Sequence, residues 1–268
     1  MNVYEVTEVA GRPASTVWQL APQRHSLALV IPVINEGARL HRQLADIQAS
    51  APEVDVIVAD GGSSDGSTNP AVLQRLGVTA LLVKRGPGRL SAQLRMAFGY
   101  VLDADYLGVL TMDGNGKDGT DGIARMAGAI DSGLDFVQGS RFIPGGRAEN
   151  TPLHRLLGIR LVHAPLTSFG ARRRYTDTTN GFRGHSRALL TDPRVDVFRD
   201  VFDSYELLAY LPIRAARLGY RTGEVPVARS YPRSEPTPTK ISGTSAHARL
   251  IRILWRAVIG DYDPGTRD

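Results

Sequence analysis

Three acidic residues in the first half of the chain, Glu36, Asp60 and Asp113, each stand at or just after the end of an apolar run. Such runs are typical of buried strands, and in an α/β sheet ligands bind beside the carboxyl ends of parallel strands. A carboxylate in that place can anchor a metal-bound diphosphate or accept hydrogen bonds from a nucleoside. The three acids therefore predict a nucleotide-binding edge of a sheet.

Glycine-rich turns follow two of these acids. Asp60 precedes Gly-Gly-Ser-Ser-Asp-Gly-Ser at 61–67, and Asp113 precedes Gly-Asn-Gly at 114–116. An ordinary turn is the alternative explanation, because Gly, Asn and Asp favour turns. As parts of a binding site, the glycines would let the backbone approach a ligand closely. Neither segment is a P-loop, since the lysine of that motif is missing.

Predicted strands and helices alternate around these turns, which indicates a mostly parallel sheet with helices on both faces. In the first half we expect strands at 27–34, 54–60, 80–83 and 106–112, and helices at 40–47, 70–76 and 89–103. In the second half we expect helices at 120–132, 150–175 and 205–218, and strands at 135–139, 178–183 and 221–229. A proline-rich loop over the site at 231–238 precedes an amphipathic helix at 246–260.

The same pattern divides the chain into three parts. Residues 1–26 are polar and aperiodic and predict an N-terminal extension on the domain surface. Residues 27–243 are expected to form one domain with halves at 27–119 and 120–243. Residues 244–268 are expected to form the amphipathic C-terminal helix and a tail.

The composition excludes several classes of protein and site. The 268 residues are 42% hydrophobic, which is enough for a full core, and they include no cysteine. This excludes thiolate catalysis and Cys-ligated zinc and is typical of a reducing compartment. The first residues carry an acid where a signal peptide needs basic residues. No apolar run approaches the roughly 20 residues that span a bilayer, so we expect a cytoplasmic protein whose membrane contact is peripheral.

Positive charge is concentrated between residues 141 and 187, where nine arginines accompany two acids. Guanidinium groups suit bidentate recognition of phosphate. No aromatic RNA-binding signature or zinc-finger spacing accompanies the arginines, so we do not expect nucleic acid as a partner. An anionic substrate or an anionic membrane is the expected partner.

At six segments the chain resembles glycosyltransferase family 2, and within it the dolichol-phosphate mannosyltransferase-like group. The segments follow the family's order over residues 27–243, and each is similar to one family motif. They are residues 31–36 (Pro-x-x-Asn-Glu), 58–67 (Asp-Asp-Gly-Ser-x-Asp-Gly-Thr), 113–115 (Asp-x-Asp), 139–146 (Gly-Ser-Arg-Tyr and a Gly pair), 179–183 (Ser-Gly-Phe-Arg) and 223–227 (Glu-Val-Pro-Val).

The resemblance implies a GT-A fold and sugar transfer, with inversion, from a UDP-, GDP- or dTDP-sugar. Residues 27–119 would then be the nucleotide-sugar half and residues 120–243 the acceptor half. A divalent cation, Mg²⁺ or Mn²⁺, is implied, with Asp113 and Asn115 as its ligands and Asp113 as a catalytic residue. The implied nucleotide-sugar site is formed by Pro32, Ile34, Glu36, Asp60, Gly62, Arg89, Met112, Asp113 and Lys117.

Three residues depart from the family pattern. Ile34 replaces the usual tyrosine of its motif, Asn115 replaces the second aspartate, and Lys117 stands where the lipid-phosphate group has glutamine. Asparagine can still coordinate a hard cation through its carbonyl oxygen but contributes no charge. Lys117 can supply part of the cation's charge at the diphosphate. Metal-dependent catalysis remains the expectation.

Two kinds of acceptor remain open. A lipid phosphate is already an anion and needs only cationic groups, which the resemblance assigns to catalytic Arg141 and to Arg155, with a looser match to Arg233 and Lys240. A soluble hydroxyl acceptor needs a general base, and the resemblance offers Asp203 or Glu206 for that role. Glu206 and Asp203 would otherwise cap a helix, and we expect capping for Asp203.

Membrane association and a noncatalytic role are further hypotheses. The basic run 172–174 and the C-terminal helix, with Arg249, Arg252 and Arg256 on one face, suit an anionic membrane at the inner surface. The apolar side chains of that helix, Leu250, Ile253, Leu254 and Val258, are expected to pack on the core. His154 and His163 are expected at the surface or in packing. Asn115 keeps open a noncatalytic nucleotide-sugar-binding protein, whereas the glycine-poor turn after the first strand argues against a nucleotidyltransferase.

Overall fold

The computed structural model describes residues 1–9, 11–232 and 244–265, with side chains from residue 248 onward in the last segment. The strands are β1 (Asn2–Val6), β2 (Ser15–Gln19), β3 (Leu27–Val33), β4 (Asp55–Asp60), β5 (Val78–Lys84), β6 (Gly108–Thr111), β7 (Phe136–Ser140), β8 (Arg147–Glu149), β9 (Arg183–Ser186), β10 (Thr222–Pro226) and β11 (Ala228–Ser230). The helices are α1 (Ala38–Ser50), α2 (Pro70–Arg75), α3 (Leu90–Asp103), α4 (Gly122–Asp131), α5 (Leu153–Gly158), α6 (Ala164–Ala171), α7 (Arg187–Thr191), α8 (Glu206–Arg217) and α9 (Thr244–Ile259).

Nine of these strands form one mixed sheet in the order β1-β2-β5-β4-β3-β6-β9-β7-β10. The central strands β3, β4, β5 and β6 are parallel, and β7 pairs in parallel with β10. Their apolar side chains are buried on both faces, as expected for parallel strands covered by helices. The predicted α/β class and mostly parallel sheet are confirmed.

Two apolar clusters pack on the two faces of the sheet. One joins the sheet to side chains of α3, α6, α8 and α9. The other joins it to α1, α2 and α4. The sheet is therefore the middle layer, and the carboxyl ends of β3, β4 and β6 emerge between the helical layers, where a ligand can reach them.

The N-terminal segment differs from its prediction as an aperiodic surface extension. β2 pairs antiparallel with β5, and β1 pairs with β2, so both strands extend the edge of the sheet. Val17 on β2 is buried, and Arg12 binds Asp103 of α3 through a guanidinium nitrogen 2.8 Å from the carboxylate. Pairing with the edge of β5 gives this polar segment the backbone partners that the local sequence pattern does not reveal.

The strand predicted at 178–183 is also wrong, because the strand is β9 and residues 178–182 form a loop before it. Arg183 is buried, and its guanidinium donates to the backbone carbonyls of Thr178, Asn180 and Leu208. These bonds curl the loop onto its own arginine. Since β9 runs antiparallel between β6 and β7, the loop is brought beside the end of β6.

The predicted helical segment 150–175 contains α5, a π-helical stretch (Ile159–His163) and α6. The predicted C-terminal helix is α9. Ile253, Leu254 and Val258 pack in the core as expected, whereas Leu250 is only partly buried and lies outside the core cluster. Among the described helices, none is both long and apolar enough to cross a bilayer. The proline-rich loop from residue 233 onward lies outside the described residues.

Candidate active site

A cleft of about 1210 Å³ opens at the carboxyl ends of β3, β4 and β6. It is bounded on the other side by α5, the π-helical stretch and the start of α9. Most residues that the sequence predicted for the site line this cleft. They are Pro32, Ile34, Glu36, Arg89, Asp113, Asn115, Lys117, Arg141 and Arg155.

The turn that carries Asp113 is held from two sides. Gln43 on α1 donates to the Asp113 carbonyl (2.9 Å) and accepts from the Gly116 amide (2.9 Å). On the other side, Thr111 donates to the Gly181 carbonyl over 2.8 Å. A Cβ at Gly181 would lie 2.3 Å from Asp113 Oδ1, so the loop before β9 needs glycine there. Gln43 is a positioning residue that the sequence did not indicate.

Arg229 on β11 lies between two carboxylates. Its guanidinium donates to Asp113 Oδ2 (2.8 Å) and to Asp118 Oδ2 (2.6 Å), and a weaker bond reaches Asn180 Oδ1 (3.3 Å). The backbone of β11 is bonded to the Asp113 turn as well, since the Ser230 amide donates to the Lys117 carbonyl. The sequence pattern predicted a strand that ends at Arg229 but did not indicate the contact of Arg229 with Asp113.

Burial and charge act in opposite directions on these groups. Burial tends to raise the pKa of Asp113, but Arg229 and Lys117 attract its charged form and leave the pKa below its ordinary value. Burial raises the pKa of Asp118, although Arg229 partly offsets the effect. Burial and repulsion from Arg229 lower the pKa of Lys117 to about 8. The site therefore concentrates cations around one cleft-lining carboxylate, Asp113.

The residues predicted as metal ligands do not form a good site for a hard dication. Asp113 Oδ2 accepts from Arg229 and, at 3.4 Å, from the Asn115 amide, while Asn115 Oδ1 accepts from the Lys117 amide at 3.3 Å. Mg²⁺ and Mn²⁺ require several oxygen ligands, preferably charged. Within the described part of the chain no group of three or more His, Cys, Asp or Glu could hold a metal.

Three residues predicted for the nucleotide-sugar site, Asp60, Gly62 and Met112, do not line the cleft. Asp60 is buried, and its carboxylate accepts from Gly62, Ser63 and Thr68 of the following turn. Met112 is fully buried in the core. The turn therefore satisfies the hydrogen bonds of Asp60, which is the alternative that the sequence left open, and Gly61 lines the cleft instead of Gly62.

Gln93 on α3 is a second positioning residue that sequence analysis missed. Its side-chain amide donates to the carbonyls of Val33 (2.9 Å) and Ala59 (3.1 Å), so it ties the ends of β3 and β4 together. A Cβ at Gly61 would come within 2.7 Å of the same amide. A glutamine inside an otherwise apolar helix face was the signal available in the sequence.

Arg141 follows β7 and forms a buried ion pair with Asp177. Its guanidinium donates through Nε (2.6 Å) and Nη2 (2.8 Å) to the two carboxylate oxygens. Both side chains are almost fully buried, at 1% and 0% exposure. The Glu224 carboxylate in turn accepts from the Thr176 amide at 2.8 Å and holds the turn that carries Asp177. Arg141 lines the cleft, and its Nη1 is buried with no hydrogen-bond partner among the described residues.

Arg155 reaches the cleft from α5, opposite the strand ends. The ring of Tyr231 lies 5.1 Å from the Lys117 ammonium and 6.0 Å from the Arg155 guanidinium. Tyr231 is buried, and its backbone is bonded to Glu149. It spaces the two cations in a cation–π arrangement. The sequence predicted Tyr231 as the first residue of a loop over the site but assigned no role to its side chain.

The acidic segment at the start of α8 does not form the predicted capping box. Glu206 accepts from the Ser204 amide at 2.5 Å and does not line the cleft, whereas its neighbour Tyr205 does. The N-cap residue is Tyr205, so the prediction of Asp203 as N-cap is wrong. Glu206 is the first residue of α8, and its carboxylate binds the Ser204 amide before the helix, so neither acid caps a helical N–H. Arg233 and Lys240, predicted to bind the acceptor, lie outside the described residues.

Exposed apolar side chains flank the outer mouth of the cleft. Two stripes with the spacing i, i+4, i+8 occupy neighbouring helical segments, Leu153, Leu157 and Leu161 on one and Ile251, Trp255 and Ile259 on the other. Exposed arginines surround them at 160, 172–174, 249 and 252. His154 and His163, expected at the surface or in packing, line the cleft beside the first stripe.

Comparison with known proteins gives both a family match and structural neighbours. Residues 28–198 match the model described as Glycosyl transferase family 2. The chain is 25% identical to the polyprenol monophosphomannose synthase of Mycolicibacterium smegmatis over 257 residues, covering 95% of this chain and 94% of that protein. It is 29% identical to the undecaprenyl-phosphate mannosyltransferase of Micrococcus luteus over 235 residues, covering 84% and 90%.

A similar fold occurs in glucosyl-3-phosphoglycerate synthase from Mycobacterium tuberculosis. Its structure with Mn²⁺, UDP and phosphoglyceric acid has a TM-score of 0.58 at 17% identity, covering 88% of this chain and 78% of that one. A second structure, with Mg²⁺ and UDP, has a TM-score of 0.57 at 19% identity, covering 90% and 81%. These neighbours confirm the predicted GT-A fold.

Proposed function

Because the chain belongs to glycosyltransferase family 2, we propose that it transfers a sugar from a nucleotide diphosphate sugar to a polyprenyl-phosphate-type lipid. The donor would be a UDP-, GDP- or dTDP-sugar. It would lie along the strand ends between Pro32, Glu36 and Asp113, with Arg89 at the rim. The two mannosyltransferases similar to this chain are named for polyprenol and undecaprenyl-phosphate substrates, which supports a lipid phosphate as acceptor.

The observation that carries the proposal is the set of cations on the acceptor side of the cleft. Arg141 and Arg155 line it together, and Arg141 Nη1 is buried without a hydrogen-bond partner among the described residues. A phosphate monoester is an anion at neutral pH and can attack without a general base. Its oxygen would bond to the anomeric carbon while the bond from that carbon to the diphosphate breaks, which inverts the centre.

A soluble hydroxyl acceptor is the second candidate. The fold neighbour with bound phosphoglyceric acid supports it at the level of the fold. Such an acceptor needs a base in contact with its hydroxyl. Glu206, the residue predicted for that role, accepts from the Ser204 amide and lies outside the cleft lining. The geometry thus favours the lipid phosphate.

The divalent cation remains a prediction for this chain. Mg²⁺ or Mn²⁺ at Asp113 and Asn115 is what the sequence predicts, and the fold neighbours were crystallised with these ions and UDP. When bound, such an ion neutralises charge on the departing diphosphate. The role proposed here for Arg141 and Arg155 does not depend on it.

Sugar transfer itself is the test of the proposal. UDP-, GDP- and dTDP-sugars are first screened for thermal stabilisation of the protein, since a bound ligand stabilises the folded state with the logarithm of its concentration over its Kd. Each stabilising donor is then incubated with a polyprenyl phosphate, and the glycosylated lipid is measured. Donor binding without transfer to a lipid phosphate or a hydroxyl acceptor would instead support the noncatalytic alternative. The proposal fails if no nucleotide sugar stabilises the protein.

We also infer that the protein works while attached to the surface of an anionic membrane, at its cytoplasmic face. The two exposed apolar stripes flank the cleft mouth, and Ile251 belongs both to one stripe and to the cleft lining. Apolar side chains rimmed by arginines suit the boundary between acyl chains and anionic headgroups. This orientation would bring a lipid phosphate directly to Arg155.

Vesicle flotation tests this attachment. The protein is expected to float with vesicles that contain anionic lipid and to be released by high salt, because each basic residue near the surface contributes about 1 kcal/mol. Replacing Leu157 and Trp255 together by serine should abolish flotation without lowering the melting temperature, since both side chains are exposed. Unchanged flotation of that variant would contradict the proposed surface.

A further inference from the structure

We propose that this enzyme neutralises the donor diphosphate with two fixed cations, Lys117 and Arg229, and that neither donor binding nor transfer requires a divalent metal ion. This rests on the proposed function, because it assigns the diphosphate subsite of the same cleft. The inference arises from the poor fit of the predicted metal ligands described above.

The Asp113 carboxylate is already bonded to a buried guanidinium. In a metal site this oxygen pair would face the cation, but Arg229 donates to Oδ2 from 2.8 Å and is itself 6% exposed. The guanidinium is fixed by Asp118 on its other side, at 2.6 Å. A dication placed at Asp113 would therefore lie against a buried positive charge, and removing a buried partner of this kind is costly.

Lys117 is held in a fixed position at the cleft. Its backbone is held by the Asn115 side chain and by the Ser230 amide, and its ammonium lies over the Tyr231 ring. The residue is 6% exposed yet lines the cleft, so its charge faces the ligand space from a fixed position. A preorganised cation stabilises developing negative charge without reorganisation.

The reaction also increases the negative charge on the diphosphate. When the bond between the anomeric carbon and the diphosphate breaks, its electron pair goes to the diphosphate oxygen, which gains one negative charge. Lys117 and Arg229 present two positive charges there, and the carboxylates of Asp113 and Asp118 hold the Arg229 guanidinium between them. Asp113 then acts as a positioning residue that orients the Arg229 guanidinium, a role that fits its 2.8 Å contact.

Binding of UDP, GDP and dTDP to the full chain, measured by titration calorimetry in EDTA and in Mn²⁺, tests the inference. We expect the Kd of the bound nucleotide to agree within about 3-fold in the two conditions, and transfer from the matching sugar donor to persist in EDTA. Loss of binding or of transfer in EDTA, restored by Mn²⁺ or Mg²⁺, would overturn the inference and leave the proposed function intact. No binding of any of the three nucleotides under both conditions overturns both.

Variants make the assignment specific to these cations. Lys117→Met keeps the apolar stem and is expected to weaken nucleotide binding by about 10-fold or more in EDTA, as for loss of a charge-assisted hydrogen bond. Arg125→Met removes an exposed charge on α4 and is the matched control, with unchanged binding. Equal affinities for Lys117→Met and the control would overturn the role of Lys117.

A double variant tests whether nucleotide binding becomes metal-dependent when a carboxylate is added and the ammonium is removed. Asn115→Asp with Lys117→Gln adds a carboxylate beside Asp113 and removes the competing ammonium, so nucleotide binding is expected to become stimulated by Mn²⁺. Because neither change touches the buried Arg229 pair, the variant should fold, and circular dichroism checks this. Metal stimulation of the unchanged protein as large as that of the double variant would contradict the inference.

Discussion

Replacing Asp177 by alanine is expected to lower the free energy of unfolding by about 3–5 kcal/mol, because it leaves the Arg141 guanidinium buried without its counter-charge. The pair is bidentate and both side chains are almost fully buried. Burial alone would lower the pKa of Arg141, but the bonds to Asp177 raise it, so the arginine stays charged. Urea unfolding followed by circular dichroism measures the loss.

Two further variants show whether the buried charge is the cause. Asp121→Ala removes the partner of Arg125 in an exposed pair on α4 and should cost at most about 1 kcal/mol. Arg141→Met combined with Asp177→Leu removes both charges and should recover most of the stability that Asp177→Ala loses. The double variant is nevertheless expected to be inactive, since the proposed acceptor contact is gone. An active double variant would contradict the role of Arg141.

Replacing Arg155 by methionine is expected to reduce kcat/KM for a lipid-phosphate acceptor by about 100-fold, equivalent to 2–3 kcal/mol for a hydrogen bond to a charged group. Arg155 lies on α5 at the acceptor side of the cleft, and methionine retains part of its apolar stem. The fold should therefore be unaffected. Initial rates at varied acceptor concentration measure the effect, with Arg125→Met as the control.

The acceptor chemistry decides how this result is interpreted. If the acceptor is a lipid phosphate, Arg155→Met should raise its KM while the Kd of the nucleotide stays within about 3-fold of its original value. An equal loss of donor binding would place Arg155 at the diphosphate and contradict its assignment to the acceptor. Unchanged transfer to a hydroxyl acceptor would support the second candidate function.

Local sequence patterns were sufficient to predict much of the fold. Uninterrupted apolar runs predicted the parallel strands β3, β4 and β6, because strands buried on both faces have no polar alternation. The edge strands β1 and β2 were missed, since their pairing with β5 depends on residues distant in the chain. The position of β9 was missed for a similar reason, as Arg183 curls the preceding loop through carbonyl contacts that leave no periodic signal.

In the site, too, local patterns identified some residues but not the distant residues that hold them. Asp113, Lys117, Arg141 and Arg155 were identified from strand ends, glycine turns and motif resemblance, and the fold brings them to one cleft. The partners of these residues were not foreseen. Gln43, Asp177 and Arg229 lie 70, 36 and 116 residues away from the residues that they hold.

The α/β architecture, the family motifs and several of the residues that line the cleft could be read from the sequence, because backbone pattern and residue chemistry are local properties. The packed chain was needed to show that Asp113 contacts a guanidinium, that Asp60 is satisfied by its own turn and that Glu206 binds the Ser204 amide. Hydrogen bonds and ion pairs act over about 3 Å in space. Their partners are therefore set by how distant segments pack, which a linear pattern does not specify.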